Sequence, residues 1–163
     1  MFKSGVVGIA GAAAAMASLL LAVVAPPRVD QKLLTLINEA RADRRYRAET
    51  GGAAAPLRWN AAVAAVAQRH AEEMARAGRL SHLSDDGEDL GARLHDAGVA
   101  WTRVGENVAM APSIEQAEAM LMAEPPFQPN HRANILDRRF TEVGLGVATV
   151  SGAVWITEDF LTH

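Results

Sequence analysis

The chain has 163 residues, of which 50% are hydrophobic and none is cysteine, and its formal net charge at pH 7 is -3. This length accommodates one domain, with or without a targeting segment. The near balance of 16 basic and 19 acidic residues excludes a strongly basic nucleic-acid-binding protein. The absence of cysteine excludes disulfides, iron–sulfur clusters and thiol catalysis, so any metal must be held by histidine and carboxylate side chains.

Residues 1–27 have the composition of a targeting segment. Lys3 precedes an apolar run at residues 5–24, which as a helix would match the hydrocarbon core of a bilayer, about 30 Å thick. A secretory signal usually has an apolar region of about 7–15 residues, whereas the many Gly and Ala residues make this run only moderately hydrophobic for an anchor. A cleaved signal peptide and a retained membrane anchor are both open. In either case residues 28–163 are expected to work outside the cytoplasm.

The N-terminal half of the remaining chain predicts three helices. An apolar stripe at helical spacing predicts a helix over 29–45, which is followed by a loop at 48–56. Asn60 is a suitable N-cap for a long helix that ends at Gly78. A shorter helix is predicted over 90–97.

The C-terminal half predicts strands mixed with short helices. The predicted elements are a strand over 104–110, a helix over 113–124, a helical turn over 131–136, and strands over 143–150 and 153–160. Ser113 opens a capping box, and Asn130 caps the helical turn. Ser151-Gly152 joins the last two strands as a hairpin, whereas Gly144-Leu145-Gly146 carries little weight as a motif. This order predicts the α+β class, with helices on the faces of a small sheet.

Six short motifs also occur in a characteristic order. They are Leu34-x-x-Ile37-Asn38-x-x-Arg41, Leu57-Arg58-Trp59-Asn60, Ser81-His82, Gly105-Glu106-Asn107-Val108, His131-Arg132-Ala133-Asn134-Ile135-Leu136 and Trp155-Ile156-Thr157-Glu158-Asp159-Phe160. Together they resemble the CAP superfamily of cysteine-rich secretory proteins, antigen 5 and pathogenesis-related 1 proteins. The match is best with its short, cysteine-free bacterial branch and covers about residues 30–160.

The resemblance implies an α–β–α sandwich of CAP type, in which a small, mostly antiparallel sheet is flanked by helices. It also implies a surface cleft that holds two histidines and two acidic residues. Carried over motif by motif, these residues are His82, Glu106, Glu124 and His131. The ligand that the resemblance implies for this cleft is a lipid or sterol-like molecule, with or without a divalent metal.

The same residues stand out on physical grounds. Glu106 lies in an otherwise apolar strand, where an unpaired buried carboxylate is costly, so a partner such as His82 or His131 is expected. Glu124 lies in the last turn of a helix, where its charge faces the negative end of the macrodipole at a cost of about 0.3–1 kcal/mol. A paired or functional Glu124 and a solvated helix end remain equally open. His70 lies on the apolar side of the long helix and is expected in the core.

Two histidines with one or two carboxylates suit Zn²⁺ or another divalent metal, for which His82 and His131 would be the ligands. A hydrogen-bonded His–Glu cluster without metal is equally compatible with the sequence. The preferred function is ligand binding without catalysis. The alternatives are a metal-assisted hydrolase, in which Glu106 or Glu124 acts as general base, and a structural or surface interaction module.

Three departures from the family pattern concern the cleft. Asn130 replaces the usual Gly before the second histidine. The Pro-rich segment 125–129 is longer than usual and is expected to reshape one wall of the cleft. Glu158 replaces the usual Gln in the last strand, where it either adds a third carboxylate near the site or points outward.

Overall fold

The computed structural model describes residues 27–163. The apolar run at residues 5–24, with its two alternatives of signal peptide and membrane anchor, lies outside the described residues. Among residues 27–163, no helix combines the length and the hydrophobicity needed to cross a bilayer.

Residues 27–163 form six α-helices and four strands. They are α1 (Arg28–Ala42), α2 (Arg47–Thr50), β1 (Arg58–Trp59), α3 (Ala61–Ala77), α4 (Leu90–Asp96), β2 (Arg103–Ala111), α5 (Ile114–Met122), α6 (His131–Leu136), β3 (Glu142–Val150) and β4 (Ala153–Thr162). The predicted α+β class is confirmed. Asn60, Ser113 and Asn130 cap α3, α5 and α6 through their side chains, as the sequence predicts.

The four strands form one sheet in the order β1-β3-β4-β2. β1 is parallel to β3, whereas the other neighbours are antiparallel, so the sheet is mostly antiparallel as expected. β3 and β4 form the predicted hairpin. Ser151 and Gly152 at its turn both have positive φ, 52° and 80°, as a tight two-residue hairpin turn requires.

Helices cover both faces of the sheet. One face packs on α1, α5 and α6, and its core includes Leu33, Ile37, Ile135, Val143, Ile156 and Phe160. The other face packs on α3 and α4, and its core includes Val63, Val66, Leu94 and Leu161. Each strand alternates between the two cores because successive side chains point to opposite faces. The result is the α–β–α sandwich that the resemblance implies.

The two glycines of β3 are required by the packing of the fold. The expectation that Gly144-Leu145-Gly146 carries little weight is therefore wrong for the structure. A Cβ atom at Gly144 would lie 2.2 Å from the backbone nitrogen of Ala64, and one at Gly146 would lie 2.3 Å from the carbonyl carbon of Ala67. Helix α3 therefore lies directly against the backbone of β3, at a distance that only glycine permits.

The first helix is shorter than predicted, and the loop after it is more ordered. α1 ends at Ala42 because Asp43 takes an extended conformation and its carboxylate accepts the Arg45 backbone N–H at 2.9 Å. A 3-10 turn then leads into α2, which occupies the start of the predicted loop. α2 ends where Gly51 adopts a left-handed conformation with φ of 65°.

Candidate functional site

A cleft of about 970 Å³ lies beside the first half of β2 and α6. Its walls come from α2, β2, the Pro-rich segment before α6 and the residues that follow α6. All four residues that the sequence singled out, His82, Glu106, Glu124 and His131, line this cleft. The fold therefore brings together side chains from four separate stretches of the chain.

His82 pairs with Glu106 at the edge of the sheet. The Nδ1 atom of His82 lies 2.8 Å from Oε1 of Glu106, which is the partner that the burial argument required. The Glu106 side chain is only 6% exposed, and its other oxygen accepts from the buried guanidinium of Arg93. The hydrogen bond to Glu106 raises the pKa of His82 above its ordinary value, although partial burial opposes it.

His131 pairs with Glu124 in the same manner. Its Nδ1 atom lies 2.7 Å from Oε1 of Glu124, while its backbone N–H donates to Oε2 at 2.8 Å. α5 ends at Met122, so Glu124 lies beyond the helix and not in its last turn as predicted, and it is paired rather than solvated. Partial burial alone would raise the pKa of Glu124, but the hydrogen bonds from His131 outweigh it and lower this pKa below its ordinary value.

The two histidines form a matched pair. Their ring centroids are 6.1 Å apart and their planes differ by 25°. Because a carboxylate occupies each Nδ1–H, the neutral ring keeps its Nε2 lone pair for a ligand. The side chains of His82 and His131 are 57% and 31% exposed, so both rings are within reach of a molecule in the cleft.

Three supporting residues lie behind His82. His70 is buried in the core, as predicted, and its Nε2 atom lies 2.8 Å from the carbonyl oxygen of Ser81, which ties α3 to the segment that carries His82. Arg93 and Asp159 escaped the sequence reasoning. Asp159 is fully buried opposite Glu106 in the β2–β4 register, and its burial, together with the charge of Glu106, raises its pKa well above its ordinary value.

Glu158 occupies the opposite face of the sheet from Glu106. It is fully buried, so the expectation that it points outward is wrong. It does not line the cleft either, but it accepts a 2.9 Å hydrogen bond from Asn107, whose amide also donates to the His131 carbonyl at 3.1 Å. Burial raises the pKa of Glu158 well above its ordinary value and that of its neighbour Glu118 to about 7. Glu158 is therefore linked through Asn107 to the first residue of α6.

The profile of the cysteine-rich secretory protein family, CAP, matches residues 34–160, which includes every side chain of the cleft. The chain belongs to the CAP family. No curated protein sequence matches it significantly.

Solved structures share this CAP fold. An extracellular SCP-domain protein from Bacillus anthracis is 28% identical with a TM-score of 0.65, and the match covers 82% of this chain and 40% of that one. An outer surface protein from Borrelia burgdorferi is 14% identical with a TM-score of 0.68, covering 82% and 92%. NaASP2, solved with Zn²⁺, is 15% identical with a TM-score of 0.52, covering 81% and 78%. The chain thus spans less than half the length of the Bacillus protein, and the two more distant structures support the fold alone.

The CAP cleft offers a metal two donors rather than a complete site. Within residues 27–163, no group of three or more His, Asp or Glu side chains is placed to hold a metal ion. Glu106 and Glu124 bind the Nδ1 atoms of the histidines, which is the position that supporting carboxylates occupy behind metal-bound histidines. Catalytic zinc sites usually take three protein ligands, so His82 and His131 alone do not make one.

The Pro-rich segment forms one wall of the cleft. Phe127 lies on that wall with 75% of its surface exposed and φ of 60°, and Gln128 and Pro129 line the cleft beside it. Asn130, the replacement for the usual Gly, holds the end of the segment. Its side chain donates to the carbonyl of Pro125 at 2.8 Å and caps α6.

Proposed function

We propose that this CAP domain binds a small amphipathic molecule, lipid- or sterol-like, in its cleft without catalysing a reaction. The observation that carries the proposal is that two carboxylate-held histidines and the exposed ring of Phe127 line the same cleft of about 970 Å³. That volume suits a small organic ligand, since such pockets measure about 300–1,000 Å³. The histidine Nε2 atoms would bind the polar group, and Phe127 would contact the apolar part.

The disposition of the carboxylates favours binding over the metal-assisted hydrolase. That alternative needs Glu106 or Glu124 to take a proton from water. Glu106 is instead engaged by His82 and Arg93, and Glu124 by His131. The lowered pKa of Glu124 also makes it a weak base. Two histidine nitrogens remain as donors for a weakly held divalent cation, which is the alternative ligand of the same cleft.

Export from the cytoplasm is part of the proposal. The similarity to an extracellular protein of Bacillus anthracis supports it. The apolar run at residues 5–24 would serve as the signal peptide or as an N-terminal membrane anchor. A CAP domain without cysteine would then be stable outside the cell without disulfides.

Fluorescence titration of the purified full chain with dehydroergosterol and with dansyl-undecanoic acid tests the proposal. We expect saturable one-to-one binding of at least one probe. Removing both Nε2 acceptors in the His82→Ala/His131→Ala variant should weaken it about thirtyfold, because two lost hydrogen bonds are worth about 1 kcal/mol each. The matched control is His95→Ala, which removes an exposed histidine of α4 outside the cleft. Circular dichroism checks that all variants are folded.

Three outcomes would decide against the proposal. Absence of binding by both probes would refute it, and equal affinity in the double variant would place the ligand elsewhere. Calorimetric titration with Zn²⁺ tests the alternative ligand. Micromolar Zn²⁺ affinity with ester hydrolysis, both lost in the double variant, would replace the proposal by the hydrolase.

A further inference from the structure

We propose that the end of the cleft beyond α6 binds an anionic group of the ligand, a carboxylate or a phosphate, through Arg103 and Arg138. This inference rests on the proposed function, because it adds an anionic group to the molecule that the cleft takes, separate from the polar group that the histidine Nε2 atoms would bind. Arg103 begins β2 and Arg138 follows α6, and both line the cleft.

The carboxylates of the cleft are already paired. Four of them line it, and the pairs are Glu106 with His82, Glu124 with His131, Glu49 with Arg132, and Asp137 with Arg139. The Arg139 pair is bidentate, with the guanidinium Nε and Nη2 atoms at 2.9 and 2.7 Å from the Asp137 oxygens. Within residues 27–163, three of these carboxylates pair with the guanidinium groups of Arg93, Arg132 and Arg139, so only the charge of Glu124 is left against the two charges of Arg103 and Arg138.

The two arginines make few contacts of their own. Both side chains are exposed. Within residues 27–163, the Arg103 side chain forms no hydrogen bond and no ion pair. Arg138 donates one hydrogen bond, from Nη1 to the Gly51 carbonyl at 3.2 Å, which leaves most of its donors for a ligand. Partial burial alone would raise the pKa of Asp137. The hydrogen bonds from Arg139 and the nearby charge of Arg103 lower it below its ordinary value.

A structural role at the end of α6 does not account for these arginines. Cations often stabilise the carbonyl end of a helix. Here the buried guanidinium of Arg41 already fills that role, since it donates to the carbonyls of Ile135 and Asp137 at 2.8 and 2.9 Å. The exposed guanidinium groups of Arg103 and Arg138 therefore keep donors for a molecule in the cleft. Guanidinium groups match carboxylate and phosphate oxygens in bidentate geometry.

Apolar side chains adjoin this cationic end. Val104, Leu136 and Phe140 line the cleft together with the arginines, and Phe127 stands on its other wall. Leu136 and Phe140 are almost fully buried, so an amphiphile with an acidic head would place its charge on Arg103 and Arg138 and its apolar chain against Val104 and Phe127. A neutral sterol would satisfy the apolar wall but not the two charges.

The experiment compares dansyl-undecanoic acid with its uncharged methyl ester on the full chain. We expect the acid to bind at least tenfold more tightly, since hydrogen bonds to charged groups are the stronger ones. In the Arg103→Gln/Arg138→Gln variant the acid should fall to the affinity of the ester, while the ester is unaffected. The control Arg69→Gln removes an exposed arginine of α3 outside the cleft and should change neither affinity.

Inorganic phosphate identifies the source of the anion. Displacement of the acid by millimolar phosphate would indicate a site for free anions, whereas retention of the acid would indicate the head group of an amphiphile, and both support the anion site. Equal binding of acid and ester by the wild type, or an unchanged acid affinity in the double arginine variant, would overturn the inference while leaving the proposed function intact. Absence of binding by acid, ester and dehydroergosterol alike would overturn the proposed function itself.

Discussion

Gly146→Ala is expected to destabilise the protein by about 4 kcal/mol or more, enough to unfold most of it. The new Cβ atom would lie 2.3 Å from both the carbonyl carbon and the carbonyl oxygen of Ala67. These are backbone atoms of α3, so no side-chain rotation relieves the clash. The helix would have to lift from β3, and the cores on that face of the sheet would open. Urea unfolding followed by circular dichroism at 222 nm measures the loss.

Gly78→Ala provides the matched control. Gly78 has φ of +67°, but a Cβ atom there would meet no atom within 4 Å. Its replacement should therefore cost only the strain of the left-handed conformation, about 1–2 kcal/mol. If Gly146→Ala cost no more than this control, the close approach of α3 to β3 would be contradicted.

Arg41→Met is expected to cost about 3–5 kcal/mol. Arg41 is 2% exposed, and its guanidinium donates to four carbonyls, those of Ala55, Ile135, Asp137 and Phe140, at 2.8–3.2 Å. Burial lowers its pKa to about 10, so the group remains charged at neutral pH. Met replaces the aliphatic part of the side chain but has no donor, and it would leave buried carbonyls unsatisfied at about 1–3 kcal/mol each. Urea unfolding measures this loss too.

Arg44→Met removes an exposed arginine three residues further along and should change stability by no more than about 0.5 kcal/mol. Because three of the four carbonyls that Arg41 binds, those of Ile135, Asp137 and Phe140, end or follow α6, the variant should also loosen the helix that carries His131. A cost below about 1 kcal/mol for Arg41→Met would show that water can replace the guanidinium. That result would contradict the conclusion that the buried hydrogen bonds of Arg41 stabilise the protein.

Local signals explain why most elements could be predicted. Asn60 and Ser113 cap their helices with their own side chains, and the positive φ values at Ser151 and Gly152 belong to the turn itself. β1 has only two residues and pairs in parallel, so it leaves no alternation to detect. The need for glycine at position 146 depends on α3, which is distant in sequence. No pattern within β3 reveals it.

The sequence singled out the four His and Glu residues that line the cleft, but it did not show which of them pair with each other. The cost of burying Glu106 required a partner, but only the fold shows that this partner is His82 and that Glu124 takes His131. Asp159 meets Glu106 because β2 and β4 pair in one particular register, which the sequence does not specify. Glu158 was placed by the same register on the opposite face. A one-residue shift of β4 would have exchanged the two acids.

The protonation of the two histidine rings, measured by ¹⁵N NMR across a pH titration, tests directly whether Glu106 and Glu124 hold them through Nδ1. We expect both neutral rings to carry the proton on Nδ1 and to leave Nε2 free, because Glu106 and Glu124 accept from Nδ1. The hydrogen bond to Glu106 raises the pKa of His82, so it should titrate above the ordinary value of 6.5. The stability it contributes is full below that ordinary value and is lost as the pH rises through the raised pKa.

Glu106→Gln should bring the pKa of His82 back toward its ordinary value, while the control Glu124→Gln, which alters only the other pair, leaves it raised. We expect Nδ1–H on both rings and this selective fall in the pKa of His82. A proton on Nε2 of either neutral ring, or a His82 pKa that is indifferent to Glu106→Gln, would contradict this expectation.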